Sequence, residues 1–134
     1  MHEILHLTCL LLTAALFGGM LLFAAALAAF LFAVLPVTEA RRVIRRAFPP
    51  FYLLVMGTSA LAAVSATLVD ATAALALGAI ALSALPTRQV LMPAVNHAMD
   101  AGQRSRFVPL HGLSVGVTLT HIGVAGWVLA RLAG

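Results

Sequence analysis

The chain has 134 residues, 63% of them hydrophobic and 9% charged, and its net charge of +4 comes from eight arginines with no lysine. A mean hydropathy of +1.08 excludes an ordinary soluble domain, which needs a polar skin that this composition cannot supply. The one cysteine, Cys9, excludes an internal disulfide. Basic charge confined to short connections between apolar runs points to the anionic headgroups of a lipid bilayer and away from nucleic acid.

The first apolar run, residues 4–35, is longer than the h-region of a signal peptide and has no basic segment before it. It is read as a membrane-crossing helix, for which about 20 apolar residues suffice. The run stops at Pro36. Thr38 to Arg46 carries Glu39 and four arginines, cannot enter hydrocarbon, and is expected as a short helix or turn on the membrane surface. Pro49 and Pro50 suit the first turn of a new helix, where a missing N–H costs nothing, and the second span is expected over 50–69. Asp70 leaves room only for a tight connection and can cap the third helix by accepting a backbone N–H. That helix is expected over 71–92, with a kink at Pro86 and a snorkelling Arg88 near its end. Asn96 to Arg106 is the one substantial loop predicted. The fourth helix is expected over 108–132, with Pro109 in its first turn and Trp127 and Arg131 at its far interface. The pattern predicts an all-α protein, an integral membrane bundle of four antiparallel transmembrane helices forming a single unit over residues 1–134.

Seven of the arginines lie in the first and third connections, which leaves Arg131 alone with Glu3 and Asp70 on the other side. Because cytoplasmic loops carry the positive excess, the arginine-rich side is expected in the cytoplasm and both termini outside it, in the periplasm of a bacterium, with the chain in the inner membrane. Helices in lipid gain no hydrophobic attraction for one another, so small residues have to let them approach. Ala14 with Gly18, Ala15 with Gly19, Ala25 with Ala29, Gly112 with Gly116 and the stretch from Gly57 to Ala66 supply such spacings.

Chemistry is confined to a few polar side chains. His111, Ser114, Thr118 and His121 are spaced three, four and three apart, which places them on one face of the fourth helix. They are read either as a functional stripe or as interhelical hydrogen-bond glue. His2, His6, Cys9 and Thr13 form a similar stripe on the first helix, and imidazole with thiolate suits a soft metal ion. His111 and His121 are candidates to ligate haem b. The methionines Met20, Met56, Met92 and Met99 are read as core filler. No Walker loop, nucleophile elbow, HExxH, CxxC or dinucleotide fingerprint occurs, so nothing in the chain matches a familiar enzyme motif.

Three stretches carry a resemblance. Ala47-Phe48-Pro49-Pro50-Phe51-Tyr52 with Met56-Gly57, Arg88 through Pro93 with Asn96, and Arg106-Phe107 with His111-Gly112-Leu113-Ser114 resemble the transmembrane-protein-205-like family of four-helix membrane proteins. The resemblance implies four transmembrane helices and, through eukaryotic relatives linked to metal-drug resistance and trafficking, the handling of a metal ion or an amphiphile. On the expected topology the three stretches meet at the arginine-rich end, where Tyr52, Arg88, Asn96, His97, Ser114 and His111 would form a polar cluster. The reading is a small membrane protein that binds or passes a metal ion or amphiphilic ligand, as a homo-oligomer where more volume is needed. The alternatives are an accessory subunit of a larger membrane complex and a haem-b-binding protein.

Overall fold

A computed structural model describes all 134 residues. Four helices make up the chain: α1 (His2–Val34), α2 (Val37–Ala66), α3 (Ala71–Asp100) and α4 (Arg104–Ala133), each long and apolar enough to cross a membrane. They run alternately up and down. Each packs on its chain neighbours, and α1 closes the ring against α4. Because hydrocarbon offers no hydrogen-bond partner, each helix satisfies its backbone internally, and α1 and α3 accommodate their irregularities as wide π turns rather than as breaks, at Leu22–Leu27 and Thr87–Leu91.

The helices outrun the bilayer. A hydrocarbon layer of about 30 Å takes roughly 20 residues at 1.5 Å each, whereas α2, α3 and α4 have 30 residues apiece. Counted from their ends at the Asp70 turn, α2 and α3 therefore leave hydrocarbon near residues 47 and 90. Beyond those levels α2 carries Arg41, Arg42, Arg45 and Arg46, all exposed, and α3 runs on to Asp100.

Two sequence expectations change in consequence. The basic stretch is no separate surface element, because α2 runs unbroken through Pro49 and Pro50. The two missing N–H groups free the carbonyls of Arg45 and Arg46, but these lie in exposed turns at the headgroup level, where water can reach them. The loop expected from Asn96 to Arg106 shrinks to Ala101–Gln103, with Gly102 at φ +65° turning the chain. There the left-handed conformation favours glycine. At Pro86, where the sequence predicts a kink, the helix continues as a π turn: Pro86 and Pro93 flank it, and the Met92 N–H reaches back to the Thr87 carbonyl.

Alanines dominate the contact between helices. Ala62 and Ala66 on α2, Ala73 and Ala84 on α3 and Ala125 on α4 are wholly buried, among larger groups such as Met20, Leu77, Ile80 and Val128. The glycine pairs expected to pack the bundle make no close helix contact: Gly18, Gly112 and Gly116 face outward and Gly19 faces a gap towards α2, and a methyl group on any of them would meet nothing within 4 Å. Gly126 is different, since a Cβ there would lie 2.9 Å from the Phe17 ring of α1. Gly126→Val should therefore cost about 1–3 kcal/mol by overpacking, and Gly116→Ala should stay within about 0.5 kcal/mol. Thermal unfolding in detergent, read by circular dichroism, distinguishes the two; equal midpoints would contradict the α1–α4 contact.

Candidate functional site

Where α2 and α3 leave hydrocarbon, their facing sides enclose a small pocket of about 80 Å³ lined by Arg45, Phe48, Pro49, Tyr52, Arg88, Met92, Pro93 and Asn96. Helical geometry explains the gathering. Arg45, Phe48, Pro49 and Tyr52 recur three or four residues apart on one face of α2, and the wide turn at Thr87–Leu91 lies between Arg88 and the α3 segment that carries Met92 and Asn96. The Arg88 Nε donates to the Pro49 carbonyl across the helix pair at 3.2 Å. Arg45 is held by Asp100 through two hydrogen bonds of 2.9 and 3.1 Å, the forked geometry that arginine and carboxylate favour. Tyr52 is 2% exposed. Its hydroxyl neighbours Thr118 of α4 but lies outside hydrogen-bond geometry and has no partner.

Three of the residues singled out in the sequence, Tyr52, Arg88 and Asn96, thus share one pocket, and the others do not join it. His97 is exposed. His111 is also exposed and stacks on Phe107 with centroids 5.2 Å apart, while Ser114 is buried and donates to the His111 carbonyl at 2.7 Å. His121 is buried deep in the bundle, with Nε2 2.7 Å from Ser83 Oγ. The rise along α4 sets His111 and His121 about 15 Å apart, so they stand at different depths. At the amino-terminal end His2 is exposed, His6 is half-buried, and Cys9 is buried with its thiol donating to the Ala62 carbonyl at 3.6 Å. No three histidine, cysteine or acidic side chains gather anywhere in the chain as a metal-ligand set.

Sequence reasoning missed two partners. Ser83 could have been found by level, because it and His121 lie equally far along their helices from the Asp70 end. Arg45 could not, since four arginines within six residues look alike until Asp100 selects one. A larger feature was invisible in the sequence: a cleft of about 670 Å³ opens between α1 and α2, and 11 of its 13 lining residues are hydrophobic. Ala15, Gly19 and Phe23 face Phe51, Leu54 and Thr58 across it, and the Phe23 and Phe51 rings stack at 3.9 Å.

Residues 11–104 match the family described as a domain of unknown function, DUF4149. The chain belongs to that family. The DUF4149 match takes in the whole pocket and cleft, whereas His111, Ser114 and His121 lie beyond it. No curated protein and no solved structure matches the chain.

The opposite end of this DUF4149 protein is clamped by one carboxylate. As the sequence predicts, Asp70 caps α3, its Oδ1 accepting from the N–H groups of Thr72 and Ala73 at 2.9 and 3.1 Å. Oδ2 accepts from Arg131 Nε at 2.6 Å, and the Arg131 guanidinium lies 5.7 Å from the centre of the Trp127 ring. The Arg131 bond, and then the amides of α3, hold the Asp70 carboxyl below the usual carboxylate range. A folded-state pKa that is depressed contributes stability fully above the unfolded value near pH 4, and loses it as pH falls through the lower folded value. The wild-type melting temperature should therefore fall as the pH is lowered from about 5 to 2. Asp70→Asn, which keeps the cap and loses the ion pair, should melt lower at neutral pH and vary less across that window. Parallel pH profiles for the two proteins would contradict the assignment.

Proposed function

We propose that this DUF4149 protein is a small, non-enzymatic binding protein of the bacterial inner membrane whose ligand is an amphiphile. The observation that carries the reading is the cleft between α1 and α2. Its volume of about 670 Å³ lies within the range of small-molecule sites, roughly 300–1,000 Å³, and its apolar walls with Thr58 as a polar point suit a chain or ring system taken from the bilayer. Among the ligand classes left open by the sequence, an amphiphile has a space of matching size and polarity, while no three histidine, cysteine or acidic side chains gather as a ligand set. The resemblance to the transmembrane-protein-205-like family lends the same direction. By the positive-inside rule, the arginine-rich end faces the cytoplasm and both termini the periplasm.

A second reading, an accessory subunit of a larger membrane complex, is supported by the outer face of α4. Gly112, Gly116 and Gly123 leave open space there, and a partner helix packs closely against such a surface in lipid.

Filling each surface separates the readings. Gly19 lines the cleft and has open space around its Cβ position, so Gly19→Leu should weaken binding of a fluorescent fatty acid by about tenfold or more, through lost volume and contact area. Gly116→Leu should leave that binding unchanged. Equal affinities for Gly19→Leu and wild type would defeat the amphiphile reading. Stoichiometric subunits co-purifying with the wild type and lost with Gly116→Leu would establish the second.

A further inference from the structure

We infer that the pocket between α2 and α3 is an oxyanion site that takes a singly charged phosphate group, with Arg88 as its charge partner and Asn96 and Tyr52 beside it. The chain has three ion pairs, made by Arg42, Arg45 and Arg131; Arg88 has no carboxylate. It is half-buried, and of the five N–H donors a guanidinium carries it uses Nε on the Pro49 carbonyl. That bond fixes the orientation of the fork and leaves the terminal nitrogens free for the bidentate geometry that phosphate favours.

The rest of the pocket fits the same ligand. Asn96, two helical turns from Arg88 on the same helix, lines the pocket and brings an amide to it, and Tyr52 closes the pocket's inner wall with its ring while its hydroxyl is buried beside Thr118 of α4. Arg45 adds little net charge because Asp100 neutralises it. One positive charge therefore remains, matching a phosphodiester or a singly protonated phosphate rather than a dianion. A volume of about 80 Å³ admits one tetrahedral oxyanion and no sugar or base. The level is that of lipid phosphates, since both helices leave hydrocarbon near residues 47 and 90 at about 1.5 Å per residue. The site stands apart from the amphiphile reading, because the cleft lies on the α1 side of α2.

The test is native mass spectrometry of the full chain in detergent, titrated with phosphatidylglycerol and, as a neutral control, diacylglycerol. Wild type should bind phosphatidylglycerol in preference, and Arg88→Gln should lose about tenfold or more of that affinity, as expected for a charge-assisted bond. Arg42→Gln, which removes an exposed charge of the same sign, should lose less than about twofold. Displacement of the lipid by millimolar inorganic phosphate assigns the site to free phosphate; retention of the lipid assigns it to a headgroup. Equal lipid affinity in Arg88→Gln and wild type overturns the proposal. Should Arg88→Gln fail to fold, Asn96→Leu, which keeps the Arg88–Pro49 bond and occupies the pocket, must lose affinity by a comparable factor, and unchanged binding in that variant overturns the proposal equally.

Discussion

Hydrocarbon forbids an unpaired backbone group and expels charge, and nearly everything in this bundle follows from how the chain meets that demand. Four helices keep their hydrogen bonds internal, absorbing irregularity as π turns in α1 and α3. The charged groups collect where the helices emerge from lipid. At one end Asp70 joins the α2–α3 turn to Arg131 of α4; at the other Arg45 joins α2 to Asp100 at the end of α3. Both pairs are partly exposed, so each adds little to stability, but together they record the register in which the helices meet.

That register positions the pocket. Because α2 and α3 are both longer than the bilayer needs, the polar ends of the two helices run on beyond the lipid, joined by the Arg45–Asp100 pair. The boundary falls within unbroken helix, at Phe48–Tyr52 on one and at the π turn beside Arg88–Met92 on the other. Aromatic rings occupy the same level: Phe23, Phe48, Phe51 and Tyr52 form a connected cluster between the apolar cleft on one side of α2 and the basic pocket on the other. A side chain's place along the helix thus decides whether it meets acyl chain, headgroup or water.

Much of this was legible in the residues. Length and hydropathy dictate four crossings, Asp70 announces a cap, and the shared level of Tyr52 and Arg88, with Asn96 two turns beyond them, follows from counting along an up-and-down bundle. Helix ends were harder to read. Pro49 and Pro50 signal a helix start by local rules, yet α2 continues through them because their lost hydrogen bonds fall in turns that water can reach. Asn96 to Arg106 has a loop's composition, but outside lipid a polar sequence can remain helical. Which surfaces touch is a tertiary fact, and so the outward glycines, the inward alanines, the Ser83–His121 pair and the cleft become visible only when the helices are assembled. His111 shows the same limit: its helical spacing from Ser114 and His121 is right, while the packing of α4 leaves it exposed against Phe107.

The central claim is that the two arginine-rich stretches share one end of the bundle, opposite Asp70 and Arg131. Single cysteines introduced into Cys9→Ala protein at Arg42, Leu68, Ser105 and Ala133 can be probed in spheroplasts with a membrane-impermeant maleimide. Positions 68 and 133 should react from outside, whereas 42 and 105 should react only after the membrane is opened. Positions 42 and 105 reacting from different sides would contradict it.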